Sequence, residues 1–197
     1  MKENKYDDNI FFQKYSQMSR SQQGLAGAGE WETLRKLLPD FKDKRVLDLG
    51  CGYGWHCIYA MEHGASSVVG VDISHKMLEV AKEKTHFPQV EYKCCAIEDV
   101  EFPEESFDVI LSSLAFHYVA DYEILVKKIY RILKSGGKLV FTVEHPVFTA
   151  YGTQDWHYNE KGEILHFPVD NYYYEGKRTA VFLGEKVTKY HRTLTTY

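Results

Sequence analysis

The chain has 197 residues, enough for one domain with a substantial buried core. Its formal net charge of −4 provides no general attraction for nucleic acid or anionic lipid, and no apolar run approaches the roughly 20 residues of a membrane span. The four cysteines show neither a CxxC pair nor zinc-ligand spacing, so we expect no disulfide framework and no metal site. Together with a polar N-terminus, this favours a cytoplasmic protein.

The predicted elements between Arg45 and Glu144 alternate between strand and helix. Apolar, β-branched runs predict five strands, at 45–49, 67–71, 90–94, 107–112 and 138–143. Apolar residues at helical spacing predict intervening helices over 55–63, 75–85 and 122–133. Strands that are almost wholly apolar are typical of a parallel sheet covered on both faces. We therefore predict an α/β fold: a Rossmann-like open twisted, mostly parallel sheet with helices on both faces.

The segments that flank this alternation have a different character. Residues 1–24 are polar and aromatic with no clear period, and the pattern over 26–38 predicts a helix that Pro39 ends. Beyond Glu144 the alternation stops, and 11 of the 29 aromatic residues fall in His145–Tyr197. Glycines punctuate this last segment at intervals suited to short hairpins, at positions 152, 162, 176 and 184.

A glycine-rich loop follows the first predicted strand. It reads Asp48-Leu49-Gly50-Cys51-Gly52-Tyr53-Gly54, and Asp72 ends the second strand, 22 residues after Gly50. Glycines there let the backbone approach a ligand, and an acid at this spacing commonly accepts hydrogen bonds from ribose hydroxyls. The last glycine of the dinucleotide fingerprint is replaced by Trp55, whose bulk prevents close helix–strand packing. Asp48 would be unfavourable beside a pyrophosphate but favourable beside the ammonium group of a methionine moiety.

These motifs resemble the class I S-adenosylmethionine (SAM)-dependent methyltransferase family, of the small-molecule type with a methyltransferase domain 11/25-like core, over roughly residues 30–145. The resemblance implies SAM as cofactor and S-adenosylhomocysteine (SAH) as its product. It implies that Asp48 and the three glycines hold the methionine part and that Asp72 binds the ribose. The full set of implied cofactor-binding residues is Asp48, Gly50, Cys51, Gly52, Gly54, Asp72, Ile73, Ile97, Glu98 and Ser113.

Two loops after later strands refine what the resemblance implies. Relatives carry an acid that holds adenine after the third strand, and Ala96 stands in its place, so we expect the backbone of Ile97, with Glu98 nearby, to serve instead. The Asn/Asp-Pro-Pro-Tyr motif of enzymes that methylate nucleobase or glutamine amides is absent after the fourth strand, in 112–117. A small-molecule acceptor fits better.

Methyl transfer requires alignment of the acceptor and sometimes removal of a proton, so few catalytic side chains are obligatory. We predict His117, after the fourth strand, as a candidate general base, and His145, beside Glu144 at the end of the fifth strand, as a second. Tyr15 in the N-terminal segment could reach the methionine end or the acceptor. Further candidates for binding carboxylate or acceptor groups are Arg20, His191 and Arg192. Ordinary packing or surface roles are the competing interpretation for each.

We predict an enzyme that transfers a methyl group from SAM to a small molecule at an unspecified O, N or C atom. The alternatives are a SAM-binding regulatory module without turnover and a methyltransferase that acts on a macromolecule. We expect one domain, 1–197, made of an N-terminal cap (1–24), a Rossmann-like core (25–144) and an aromatic-rich lid (145–197).

The end of the chain suggests an incomplete sheet. The family usually adds two strands after the lid, and residues 190–197 resemble the start of a helix that leads to them. We therefore expect that this chain lacks the C-terminal strands and leaves a sheet edge exposed. A homodimer through the lid or that edge is one way to cover it.

Overall fold

The computed structural model describes residue 2 and residues 4–151 and 154–197. Its central strands are β1 (Arg45–Leu49), β2 (Ser67–Asp72), β3 (Val90–Cys94), β4 (Phe107–Ser113) and β5 (Leu133–Thr142). They form one sheet in the order β3–β2–β1–β4–β5, with every neighbouring pair parallel. This confirms the α/β, Rossmann-like prediction. The strand order reverses between β1 and β4, where open α/β sheets bind their ligands.

The α-helices in the described ranges are α1 (Asn9–Ser16), α2 (Ser19–Gln23), α3 (Trp31–Leu34), α4 (Trp55–Glu62), α5 (His75–Lys84), α6 (Tyr122–Ile132) and α7 (Pro146–Ala150). Four of them, α1, α5, α6 and α7, begin at side-chain caps. At α5, Ser74 accepts a hydrogen bond from the Met77 N–H, and at α6, Asp121 accepts one from the Ile124 N–H. None of these helices is long and apolar enough to cross a membrane.

Two predicted elements differ from the structure. The helix expected over 26–38 is a single turn, α3, because Gly24–Gly27 forms a separate 3₁₀ helix that packs over Trp55. Gly24, at the start of that 3₁₀ helix, has φ +64°, and a Cβ there would lie 3.2 Å from the Trp55 ring. The fifth strand begins at Leu133 and not at Lys138, although its register against β4 jumps between those two residues.

The lid folds as two antiparallel hairpins. Its strands are β6 (His157–Tyr158), β7 (Ile164–His166), β8 (Gly176–Phe182) and β9 (Glu185–His191). Gly162 and Gly184 lie in the two turns with φ near +80°, as the glycine spacing predicted, whereas Gly152 lies outside the described residues. The helix expected near the C-terminus does not form. Tyr190 and His191 instead complete β9, where they pair with Lys177 and Gly176.

The N-terminal cap and the lid meet in a small cluster of their own. Phe11 of α1 is fully buried against Ala180 and Val187 of the β8–β9 hairpin, and its ring lies 5.8 Å from that of Phe182. The Lys14 ammonium donates to the Leu183 carbonyl oxygen in the β8–β9 turn (2.9 Å). Segments from the two ends of the chain therefore contact each other.

Candidate active site

The glycine loop forms an open backbone cradle after β1. The N–H groups of Gly50 and Cys51 both donate to the Val71 carbonyl oxygen (2.8 and 2.9 Å), which fixes the loop against β2. Gly50 has φ +80°, and a Cβ there would lie 2.5 Å from the Cβ of Ala115, so a side chain does not fit. Gly52 has φ +53°, and no described atom beyond its chain neighbours lies within 4 Å of where a Cβ would stand. The loop is therefore open above Gly52.

Asp72 connects the end of β2 to this loop. Its Oδ2 accepts a hydrogen bond from the Gly52 N–H and its Oδ1 accepts one from the Ser74 N–H, both at 2.9 Å. Burial raises the pKa of Asp72, while these N–H donors act in the opposite direction. The carboxylate predicted to bind ribose thus lies directly beside the glycine cradle, with lone pairs left for further donors.

Asp48 lies inside the molecule. Its side chain is fully buried, its Oδ2 accepts a weak hydrogen bond from the Cys57 thiol of α4 (3.5 Å), and its Oδ1 has no hydrogen-bond partner among the described residues. Burial raises the pKa of this carboxyl to about 7. A buried acceptor without a partner is costly, so an unmatched Asp48 Oδ1 beside a ligand loop indicates a site for a donor or a cation.

The predicted adenine-side residues also converge on this edge of the sheet. Ile97, half-buried in the 3₁₀ helix after β3, brings its Cδ1 to 3.5 Å from the position of a Gly50 Cβ. Glu98 is half-buried, and its carbonyl oxygen accepts a hydrogen bond from Lys128 (2.8 Å). Ser113 ends β4 and donates to Glu30 Oε1 (3.2 Å), and the Thr142 hydroxyl donates to Ser113 Oγ (3.3 Å). The carbonyl oxygen of Ile73 accepts a hydrogen bond from Asn4 (3.2 Å).

His117 lies close to the cradle, two residues beyond Ala115. It is buried, and its Nδ1 accepts a hydrogen bond from the Glu144 N–H (3.4 Å), which leaves the proton of the neutral ring on Nε2. Burial lowers the pKa of His117 to about 4. The imidazole is therefore neutral near pH 7, but it is a weak base there.

The other two predicted catalytic residues differ in their surroundings. The Tyr15 ring packs edge-on against Tyr6 (5.3 Å) and against Tyr53 of the glycine loop (5.9 Å), so the structure brings it to the cradle. Burial raises the pKa of Tyr15, which keeps its hydroxyl protonated. His145 is exposed, and its Nδ1 accepts a hydrogen bond from the Val147 N–H (3.2 Å), so it caps α7.

A buried polar cluster beside His117 was not predicted. The Lys189 ammonium of β9 donates to Glu144 Oε1 (2.6 Å) and to Gln154 Oε1 (2.9 Å), and Gln154 donates to Glu144 Oε2 (2.9 Å). Burial by itself would raise the pKa of Glu144, but His117 and Lys189 outweigh it and hold that pKa below its usual value. The available signal was the alternation in β9, which places Lys189 between the buried Val187 and His191.

These polar groups help to line an open groove of about 210 Å³. Apolar side chains from α7 and the hairpin supply the remainder of its lining. The lining residues are Glu144, Phe148, Gln154, Val181, Phe182 and Lys189. Glu144 also contacts His117, because its backbone N–H donates to His117 Nδ1.

The last residues of the lid and Arg20 have clear packing partners. His191 is fully buried between the Thr149 hydroxyl and the Tyr172 carbonyl oxygen (2.7 Å each). Arg192 is buried and donates to the carbonyl oxygens of Val119 and Ala120. Arg192 therefore holds the lid on the core, whereas His191 joins two parts of the lid, and neither residue lines the groove. Arg20 pairs with Glu30 near Ser113.

The chemistry of the cradle fits SAM. The methionine part of SAM carries an ammonium and a sulfonium cation, which match the buried, unpartnered oxygen of Asp48. The open side of Gly52 leaves room for the chain of that methionine beside the Asp72 carboxylate. A pyrophosphate would instead place negative charge near two acids, Asp48 and Asp72.

Comparison with known proteins gives the same result. The Methyltransferase domain family matches residues 47–141. A crystal structure from Listeria monocytogenes, assigned as a SAM-dependent methyltransferase, has a TM-score of 0.83 and 58% identity over 86% of this chain and 80% of that one. A SAM-dependent methyltransferase from Mesorhizobium loti has a TM-score of 0.81 and 41% identity over 88% and 78%.

A relative with a named reaction matches about half of this chain. The Ubiquinone biosynthesis O-methyltransferase of Coxiella burnetii is 36% identical over 112 residues, which is 56% of this chain and 47% of that protein. The chain belongs to the class I SAM-dependent methyltransferase family. It is a methyltransferase, and SAM is its cofactor.

Proposed function

We propose that this methyltransferase acts on a small molecule that binds in the groove between the end of β5 and the β8–β9 hairpin. The groove carries the proposal, because it combines apolar walls from Phe148 and Phe182 with the buried Glu144–Lys189 pair, and the backbone N–H of Glu144 contacts His117. Small-molecule sites commonly have this composition of apolar walls and a few fixed polar groups.

The cap and lid support a small acceptor over a macromolecular one. Phe11 and Lys14 of α1 contact the β8–β9 hairpin, so the two segments enclose the site from above. A net charge of −4 gives no attraction for RNA. We also propose that the chain forms a single domain, which divides into a cap (1–24), a core (25–144) and a lid (145–197).

In this proposal, the cofactor supplies a methyl group on a sulfonium, and the chain positions both reactants. Asp48, Gly50, Cys51, Gly52 and Gly54 hold the methionine part, and Ser113 lies at the same edge. Asp72 and Ile73 bind the ribose, and Ile97 and Glu98 lie near adenine. We assign the exclusion of water to the Tyr6, Tyr15 and Tyr53 rings, because Tyr15 packs edge-on against the other two and Tyr53 belongs to the glycine loop.

The catalytic side chains serve mainly to orient the acceptor. His117, neutral with a pKa of about 4, offers its Nε2–H as a donor, and Tyr15 offers a protonated hydroxyl. His145 is the least supported of the three, because its ring caps α7 at the surface. An acceptor that must lose its proton would release it to solvent or to a residue other than His117 at neutral pH.

Calorimetry with SAH tests the cofactor site, and transfer of labelled methyl groups tests the acceptor class. We expect SAH to bind the wild-type chain and Asp72→Ala to weaken binding at least about tenfold, the value of one charge-assisted hydrogen bond or more. Labelled SAM is then offered to phenols, amines and carboxylic acids, to RNA and to protein. Label found only in RNA or protein would overturn the small-molecule proposal.

Location and assembly extend the proposal. All four cysteines are free thiols, which supports a reducing, cytoplasmic compartment. The lid exposes large apolar side chains, among them Trp156, Ile164, Leu165 and Tyr173, and these support a homodimer through the lid. Light scattering of the purified chain tests that assembly, and a monomer at micromolar concentration would contradict it.

A further inference from the structure

The residues before α1 cross the carboxyl ends of β2 and β3. Asp7 lies over the start of α5, where its Oδ1 accepts hydrogen bonds from the Ser74 hydroxyl (2.6 Å) and the Lys76 N–H (3.1 Å). Burial would raise the pKa of Asp7, but these donors outweigh it and lower the pKa. The segment is therefore anchored beside Asp72 by a carboxylate that stays ionised.

Asn4 has one orientation in this arrangement. Its Nδ2 donates to Asp7 Oδ2 (2.7 Å) and to the Ile73 carbonyl oxygen (3.2 Å), and both partners are acceptors only. The amide nitrogen must face them, so Oδ1 faces the other way. That oxygen is buried and has no hydrogen-bond partner among the described residues.

An unpartnered buried oxygen is a specific signal here. Leaving such an acceptor unsatisfied costs about 1–3 kcal/mol, and native proteins rarely retain one without a function. The segment is anchored by Asp7 and by the Nδ2 group of Asn4. The Oδ1 atom of Asn4 takes no part in that anchoring. The three unpartnered atoms of this kind among the described residues belong to Asn4, Asp48 and Trp55. Asp48 and Trp55 flank the glycine loop in sequence, and Asn4 contacts Ile73, the residue after Asp72.

The position of Asn4 matches the nucleoside half of the cofactor. Ile73 directly follows Asp72, the acid that we assign to ribose. The family resemblance implies that Ala96 stands in the place of an acid that holds adenine. If so, an acceptor supplied from residue 4 would compensate for that loss.

We propose that Asn4 is a cofactor-recognition residue whose Oδ1 accepts a hydrogen bond from the nucleoside half of SAM, either from a ribose hydroxyl or from the adenine amino group. The inference rests on the proposed placement of the ribose at Asp72. It assigns the N-terminal cap a direct contact with the cofactor in addition to its contact with the lid.

In the test, each protein variant is titrated with each of several SAH analogues, and calorimetry measures the affinity. We would titrate the wild type, Asn4→Ala and the matched control Asn9→Ala with SAH. Asn9 is a suitable control because its amide contacts Lys76 on the exposed side of the N-terminal cap. They are also titrated with 2′-deoxy-SAH, 3′-deoxy-SAH and the inosine analogue, which lacks the adenine amino group. We expect Asn4→Ala to weaken SAH binding about tenfold and Asn9→Ala to leave it unchanged.

The analogues separate a direct bond from a structural effect. If Asn4 bonds directly to the cofactor, Asn4→Ala should not weaken the binding of the one analogue that lacks the donor group. The identity of that analogue then shows whether the donor is a ribose hydroxyl or the adenine amino group. Equal weakening for all four ligands, or wild-type affinity in Asn4→Ala, would overturn the proposal. Failure of the wild-type chain to bind SAH would instead refute the cofactor site on which it rests.

Discussion

At the scale of single residues, the buried acid Asp48 lowers the stability of the ligand-free protein at neutral pH, and we propose that it serves ligand binding. Asp48 has a pKa of about 7 in the folded protein, well above its value of about 4 in an unfolded chain. Its contribution is therefore most favourable below pH 4 and is lost as the pH rises to 7, because the folded state retains a proton that the unfolded state has released. A cationic ligand would favour the ionised form of Asp48 and so offset this loss of stability.

We expect Asp48→Asn to stabilise the ligand-free protein at pH 8 by about 2–4 kcal/mol and to have little effect near pH 4. The same substitution should weaken SAH binding, because the amide carries no charge. Urea unfolding at the two pH values and calorimetry with SAH measure both effects. A variant less stable than wild type at pH 8, with unchanged SAH affinity, would contradict this role.

His117 gives the opposite dependence on pH. Its folded pKa of about 4 lies below the unfolded value near 6.5, so the stability it confers is present above pH 6.5 and is lost as the pH falls toward 4. His117→Asn retains an acceptor for the Glu144 N–H but does not titrate. We expect wild type to lose about 2 kcal/mol more than this variant between pH 7 and pH 5.

Chemical unfolding across that range tests the His117 prediction. His56 provides a matched control, because burial lowers its pKa to about 4 as well, and His56→Asn should show the same difference. Parallel curves for wild type and His117→Asn would indicate an ordinary pKa for His117. A general-base role near neutral pH would then become plausible again.

At the scale of elements, one buried lysine attaches the β8–β9 hairpin to the core. The Lys189 side chain is 3% exposed and that of Glu144 is 29% exposed, so their ion pair is largely shielded from water. Removing one partner of a buried pair leaves the other uncompensated. Lys189 lies on the same buried face of β9 as Val187, so the ion pair and Phe11 hold the same face of the hairpin.

We expect Lys189→Met to destabilise the protein by about 1–3 kcal/mol, less than a fully buried pair because Glu144 keeps some contact with water. Hydrogen exchange in β8 and β9 should rise, while SAH affinity stays near that of wild type. Lys186→Met, on the exposed side of the same strand, is the matched control and should change neither quantity. Unaltered exchange in the hairpin would show that the ion pair does not hold it.

At the scale of the whole molecule, the two ends of the chain depend on each other. Phe11 is fully buried, and its partners are Ala180, Val187 and Phe182 of the hairpin together with Tyr6 of the cap. The hairpin partners lie far from Phe11 in sequence. Cap and lid should open together.

We expect Phe11→Ala to cost about 3 kcal/mol and to raise hydrogen exchange in both α1 and the β8–β9 hairpin, with β1 and β4 unaffected. The matched control is Ile10→Ala, because Ile10 is 60% exposed in the same helix. Exchange that rises in α1 alone would contradict the coupling of the two segments.

The sequence alone determined the sheet and the glycine loop. The strands at 45–49 and 90–94 begin and end as predicted, because the residues of each short run favour a strand by themselves. The loop from Asp48 to Gly54 and the acid Asp72 are equally local, since the roles that we propose for them follow from backbone freedom and spacing along the chain.

Only the tertiary structure decided which side chains from the cap and lid reach the site. Asn4 meets Ile73, and Lys189 meets Glu144, across 69 and 45 residues of sequence. No periodicity encodes such contacts, because they depend on how separate segments pack once the sheet exists. The same packing replaced the predicted helix over 26–38 with one turn and placed Arg192 and His191 in the interior.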